Sequence, residues 1–303
     1  MARLYGFQKK DLIRVYENMM LARKLDEKMM ILLRQGKGFF HMACSGHEAA
    51  QLAAANTLNA GKDWSYPYYR DSAFSIAMGM TSKEQLQAFL AKADDPSSGG
   101  RQLPHHFSKR ELNIVTQSSA TGTQYLQAVG CGMACKLNKE KEVVYVSSGE
   151  GTTSQGDFHE ALNWSSREKL PVIFHVQDNE YAISVHISEQ TSGGSVFSMV
   201  SGYQNLGRFD VDGTDFFESH LAFKKAVGRA RKGKGPSVII SHVVRLEPHS
   251  SSDDQLKYRT KDEIDEMRKN DPILKFRNEC ITNKVIKKEE FEKIDLKLKD
   301  QVD

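Results

Sequence analysis

Apolar residues between Asp11 and Arg34 recur at spacings of three and four: Leu12, Val15, Tyr16, Met19, Leu25, Met29, Leu32, Leu33. That period predicts one long amphipathic helix, closed by Gly36 and Gly38. Its methionines read as packing groups rather than ligands. An alanine-rich helix from about Glu48 to Asn59 should be buried against close neighbours. Further on the pattern changes. Short strand-like runs at 143–147, 172–177, 208–211 and 237–244 alternate with helical stretches at 156–168 and 215–232, and more helices follow Thr260. The polar turn Ser118–Thr123 leads into an Ala/Gly-rich helix through Lys136. Strands alternating with helices of this length predict an α/β fold with a doubly wound, mainly parallel sheet. The stretch 284–303 mixes Lys, Glu and Asp with sparse apolar positions, as a surface helix or a linker would. The expected organisation is a single α/β domain over 1–303, with an N-terminal helical arm 1–38 and a charged C-terminal helical tail 284–303.

Composition narrows the class without naming a function. The 303 residues are 39% hydrophobic and 27% charged, and a formal net charge of +3 is too weak for a dedicated nucleic-acid binder. No apolar run reaches the roughly 18 residues of a membrane span. Met1–Gly6 has neither a signal-peptide core nor a transit-peptide pattern, so the cytoplasm is the expected compartment. Of the four cysteines, Cys131 and Cys135 have helical spacing and read as packed thiols, not a zinc site.

Candidate chemistry sits where strands end. Gly149-Glu150-Gly151 closes one apolar strand and opens onto a helix, and Gln177-Asp178-Asn179 closes the next. Parallel strands joined by a crossover helix bring both ends to one sheet edge, where open α/β folds bind ligands. An acid and an amide there, beside glycines that expose backbone N–H groups, suit a divalent metal held against phosphate. The segment is neither a P-loop nor a good dinucleotide fingerprint. Arg70, in Tyr68-Tyr69-Arg70-Asp71, reads either as a surface residue or, with Tyr69, as a phosphate fork. His249, on a polar loop after the last strand, is a solvated histidine or a proton donor near neutral pH. His105 and His106 lack partners at metal-ligand spacing and suit a loop near the site entrance.

Together these motifs resemble the alpha subunit of the thiamine-diphosphate-dependent 2-oxo acid dehydrogenases, the decarboxylating component, nearest the branched-chain type. The resemblance spans roughly residues 10 to 280. It rests on Tyr69-Arg70, Gly100-Arg101-Gln102-Leu103-Pro104, Ser118-Ser119 with Thr123-Gln124, Gly149-Glu150-Gly151, Asn179-Glu180-Tyr181-Ala182-Ile183-Ser184 and His249-Ser250-Ser251-Ser252-Asp253-Asp254. It implies the diphosphate-binding half of a thiamine-diphosphate-binding fold. Glu150, Asn179 and the Tyr181 carbonyl match magnesium ligands. Tyr69, Arg70, Gly149, Gly151, Thr152 and His249 match contacts to the diphosphate or the reacting end of the cofactor, with His249 the catalytic position. Ser119 and Thr121 match positions near the aminopyrimidine, and Ser118, Thr123 and Gln124 a potassium site of some members.

The implied reaction is oxidative decarboxylation of a branched-chain 2-oxo acid with acyl transfer to a lipoyl-bearing acyltransferase. Pyruvate or acetoin dehydrogenase, or a non-catalytic assembly subunit, are the alternatives. The activating glutamate of the family comes from a beta subunit, which implies an α2β2 assembly inactive without it. The charged C-terminus also fits the front half of a fused chain carrying the beta half. Three departures stand out. Asp178 replaces an asparagine and should bring negative charge towards the diphosphate. Gln177 stands where relatives carry an arginine, so a phosphate contact should become neutral. Pro248 replaces a histidine. Ser250 matches a phosphorylation position, where added charge would repel the diphosphate.

Overall fold

A computed structural model describes residues 3–302 of the chain. Its main sheet contains β1 Trp64–Tyr66, β2 Val144–Gly149, β3 Val172–Asp178, β4 Gly207–Asp212 and β5 Ser237–His242, in the spatial order β1-β2-β3-β5-β4. Every neighbouring pair is parallel. The helices longer than one turn are α1 Lys9–Arg34, α2 Glu48–Ala55, α3 Ser72–Met78, α4 Ser82–Phe89, α5 Thr123–Leu137, α6 Gly156–Glu168, α7 Phe216–Arg231, α8 Lys261–Lys269, α9 Pro272–Thr282 and α10 Lys288–Val302.

β2, β3 and β5 read as apolar runs because helices cover both faces, whereas the edge strand β4 alternates and leaves Arg208, Asp210 and Asp212 exposed. Val144, Val146, Phe174, Val176, Val238 and Ile240 enter one core with Tyr125 of α5 and Phe158 of α6. Their alternates Tyr145, Ile173 and Ile239 enter the other, with α1, α2, α3 and α7. At Gly132 helix and sheet come so close that a Cβ would lie 2.8 Å from Val172 Cγ2.

The N-terminal helical arm is α1, docked on the core, with Leu12, Tyr16, Met19, Ala22 and Leu25 fully buried. Of the two readings of the tail, the helical one describes α10. Phe291, Ile294, Leu298 and Val302 of α10 form a buried stripe. The Phe291 ring centroid is 4.4 Å from that of Tyr16, whose hydroxyl donates to Asp295 at 2.7 Å. Residues 1–2 and 303 of that arm and tail lie outside the described residues. Finally, α2 stops at Ala55: the Thr57 N–H (3.0 Å) and hydroxyl (2.7 Å) take the Ala54 carbonyl that the Leu58 N–H would use in a longer helix. All four cysteines are free, with Cys131 partly exposed. Among the described residues no helix is long and apolar enough to cross a membrane.

Register decides what meets at the sheet edge. Gly149 pairs with Gln177 and Asp178 with His242, so β2, β3 and β5 end level with one another.

Candidate active site

At that edge a cavity of about 360 Å³ is lined by Glu150, Gly149, Gly151 and Thr152 after β2, and by Asn179 and Tyr181 after β3. Tyr69 and Arg70 come to it from the segment after β1, Ser118, Ser119 and Thr121 from the loop before α5, and His249 from the loop beyond β5. The two strand tips touch: the Asn179 backbone N–H donates to Glu150 Oε2 at 3.2 Å. Glu150 is 1% exposed, and burial, then the charge of Asp178, push its carboxyl up to about 7. Asn179 is nearly as buried, and its amide oxygen has no partner. An orphaned acceptor of this kind costs about 1–3 kcal/mol and marks a place for a ligand.

A carboxylate, a free amide oxygen and the Tyr181 carbonyl are hard oxygen donors suited to magnesium, which shares its shell with phosphate. The described residues hold no cluster of three His, Cys, Asp or Glu side chains for a metal. Outside oxygens would have to complete the shell. At Gly151 a Cβ would lie 2.7 Å from Ala182 Cβ, so only glycine lets the two loops close on each other. Glu180 (φ 70°) and Ile183 (φ 59°) adopt the left-handed conformation and bend the chain back, and the paired segments Tyr181–Ala182 and Val185–His186 close the bend.

Arg70 is 1% exposed, which removes its reading as a surface residue. One wing of its guanidinium donates to the Ala43 carbonyl (2.8 Å). The other donates to the His249 carbonyl (2.8 Å) and to His249 Nδ1 (3.1 Å). That contact makes Nδ1 an acceptor and leaves the ring proton on Nε2. Burial and the neighbouring Arg70 cation depress His249 to about 3. The expected proton donor is therefore a neutral imidazole at pH 7, offering a hydrogen bond rather than an imidazolium proton. Arg245, also buried, donates to the carbonyls of Tyr181 (3.4 Å) and Ile183 (3.0 Å) and steadies that turn.

The Ser118 and Thr123 hydroxyls lie 2.7 Å apart, so that one donates to the other and the second donates to the Ala120 carbonyl, which is within reach of both. Gln124 turns its amide oxygen to the Gly122 N–H and its NH₂ to the Ser147 carbonyl. Ser250 is buried beside Ser252. Thr123 and Gln124 do not line the cavity, and neither does Pro248.

Two departures have other consequences than the sequence suggests. Gln177 does not face the cavity. It is fully buried beneath it, accepting from Gln51 (3.0 Å) and His47 (2.9 Å) and donating to Asp71 (2.6 Å). No phosphate contact is expected from this position. Asp178 turns its carboxylate away as well: one oxygen accepts the Glu180 N–H at 2.9 Å and the other lies 3.5 Å from His242 Nδ1. His242 Nε2 is 2.7 Å from Asp210, and the hydrogen bond that the imidazole donates to Asp178, with further help from Asp210, raises it to about 9. A local cation thus offsets the charge expected to oppose a diphosphate.

Sequence reasoning missed several walls. Met42, Leu103 and Ile183 give the cavity an apolar side. His106, expected on a loop near the site entrance, lines the cavity and bonds Ser119 at 3.0 Å. Its neighbour His105 is buried against His41 (2.8 Å), itself 3.2 Å from Asp26. Nothing local in the sequence marks Met42. His106, two residues after Pro104 and before the Ser118–Thr123 turn, carried the one usable signal.

The family model for the dehydrogenase E1 component matches residues 16–303. The 2-oxoisovalerate dehydrogenase subunit alpha of Bacillus subtilis (strain 168) is 43% identical over 271 residues, covering 89% of this chain and 82% of that protein. The 3-methyl-2-oxobutanoate dehydrogenase subunit alpha of Mycobacterium tuberculosis (strain ATCC 25618 / H37Rv) is 35% identical over 263 residues, 87% of this chain and 68% of the relative. The pyruvate dehydrogenase E1 component subunit alpha of Staphylococcus aureus (strain Mu50 / ATCC 700699) is also 35% identical, over 267 residues, 88% and 69% of the two chains.

Proposed function

This chain belongs to the dehydrogenase E1 component family, and on that premise we propose that it is the alpha subunit of a thiamine-diphosphate-dependent dehydrogenase of branched-chain 2-oxo acids. The observation that carries the proposal is the orphaned Asn179 amide oxygen beside the buried Glu150 carboxylate, in a cavity walled by Arg70 and His249. When bound, thiamine diphosphate supplies the carbon nucleophile and the electron sink for decarboxylation.

The chain's own residues bind and orient. Glu150, Asn179 and the Tyr181 carbonyl hold magnesium. Gly151 and Thr152 offer backbone N–H groups to the diphosphate, and Tyr69 and Arg70 add a phenol and a cation. Ser119 and Thr121 face the other end of the cofactor. His249 Nε2–H donates a hydrogen bond at the reacting end while Arg70 fixes its ring. Ser118, Thr123 and Gln124 tie the loop before α5, with potassium as the ion that would join them.

Among the described residues lining the cavity, Glu150 is the one carboxylate. That supports an activating carboxylate from a beta subunit, in an α2β2 assembly or a fused chain, which then passes the acyl group to a lipoyl-bearing acyltransferase. Met42, Leu103 and Ile183 support a branched substrate side chain. The 35% identity to a pyruvate dehydrogenase subunit keeps pyruvate as the second reading. Assay of the assembled complex decides. We expect kcat/KM for 3-methyl-2-oxobutanoate to exceed that for pyruvate at least tenfold; the reverse order supports pyruvate, and no turnover of any 2-oxo acid by a cofactor-loaded complex refutes the enzymatic reading.

A further inference from the structure

Asp178 is the residue least suited to its place. It is 4% exposed, directly precedes Asn179, and would add a negative charge where a diphosphate is to bind. Yet its carboxylate is held elsewhere. Oδ1 accepts the Glu180 N–H at 2.9 Å, an Asx turn that supports the left-handed Glu180 backbone (φ 70°). Oδ2 lies 3.5 Å from Nδ1 of His242, the last residue of the neighbouring strand β5. His242 is fixed from its far side by Asp210 of β4 at 2.7 Å. Three adjacent strands therefore contribute one group each to a carboxylate–imidazolium–carboxylate row behind the site. The register Asp178↔His242 puts the imidazole there.

We propose that His242 is a positioning residue for the cofactor edge: by engaging Asp178 it turns that carboxylate from the cavity and holds the Asp178–Asn179–Glu180 turn that presents Asn179 and Tyr181. The inference rests on the proposed cofactor site. As a surface ion pair it would contribute little, since the His242 side chain is 53% exposed. Its effect should come instead from the buried partner. Without the imidazolium, the buried Asp178 carboxylate is a stranded charge that keeps only the Glu180 N–H, one residue from Asn179, and the turn it shares with Asn179 loses its outer anchor.

The test is a cycle of H242Q, D178N and the double variant in the full chain assembled with its beta partner. Calorimetric titration of thiamine diphosphate in excess magnesium is one readout, and amide hydrogen exchange of a peptide covering 178–183 is the other. H242Q should weaken binding about tenfold, the usual scale of coupling within one charge network, and speed exchange in that peptide. D178N should bind at least as well as wild type, because its amide oxygen still accepts the Glu180 N–H. The double variant should return to within about twofold of D178N, there being no stranded charge left. A double variant as weak as H242Q, or an H242Q protein with unaltered exchange, overturns the proposal. Wild type that binds no cofactor refutes the function proposed above, and the exchange comparison then decides this inference alone.

Discussion

Replacing Arg70 with lysine keeps the charge and removes the fork. In the structure the two wings reach acceptors on different segments, the Ala43 carbonyl on one side and the His249 carbonyl and ring nitrogen on the other. A single ammonium cannot span both sets. Lysine at this 1% exposed site should retain one side and abandon the other. If the His249 side is lost, two charge-assisted hydrogen bonds go, each contributing about 1.5–3 kcal/mol in a buried setting. Partial hydration of the half-buried His249 offsets some of this, leaving a net cost of about 2.8 kcal/mol, or about 100-fold. That energy now orders the loop at His249–Asp253, so R70K should weaken thiamine diphosphate binding about 100-fold and expose the loop to proteolysis, with the far-UV spectrum unchanged. Calorimetric titration and limited proteolysis of the assembled enzyme read both effects. Cofactor affinity within threefold of wild type (about 0.7 kcal/mol) and an intact loop would refute the claim that Arg70 couples the diphosphate site to His249.

The glycine at 151 should tolerate nothing larger: in G151A the added methyl meets Ala182 at 2.7 Å, and overpacking of about 1–3 kcal/mol should appear as weaker cofactor binding together with a Tm lowered by a few degrees. Asp71 gives a pH signature. Burial raises its carboxyl from the ordinary 3.8 to about 7, so between about pH 4 and 7 the folded chain holds a proton that the unfolded chain releases. Its contribution to stability is greatest below that window and falls as pH rises through it; urea midpoints of D71N should lack this fall relative to wild type, and parallel profiles would contradict the assignment. F291A removes a ring that is fully buried against Tyr16, and should cost about 3–5 kcal/mol by urea denaturation. A cost near zero would mean that α10 is not docked on α1.

What the sequence disclosed follows from what is local. The strands at 144–149, 172–178 and 237–242 were legible because helices bury both faces of largely apolar runs, and 207–212 because its side chains alternate along the sheet edge. The end of β2 was less so: the expected run 143–147 stops short of Ser148 and Gly149, while the hydroxyls find buried partners, Ser147 with Tyr68 N–H and Asp71, Ser148 with Tyr125. β1 is three residues before Pro67 and has too short a pattern to detect. The face of α10 was diluted by lysines, and its partner α1 lies almost a chain length away. At the site, the meeting of Glu150 and Asn179 was legible because crossover topology alone brings consecutive strand tips together. The aim of Asp178 and Gln177 was not, since it depends on pleat and register with β5, which no local pattern reports. Nor could spacing reveal that Arg70 holds His249, 179 positions away.

The most direct measurement is the anomalous signal from crystals of the assembled enzyme grown with thiamine diphosphate and manganese in place of magnesium. The account predicts one peak at about 2.1 Å from a Glu150 oxygen, Asn179 Oδ1 and the Tyr181 carbonyl, with diphosphate oxygens completing the shell. A metal bound away from these three residues, or a cofactor whose diphosphate lies outside the Arg70–His249 cavity, would contradict it.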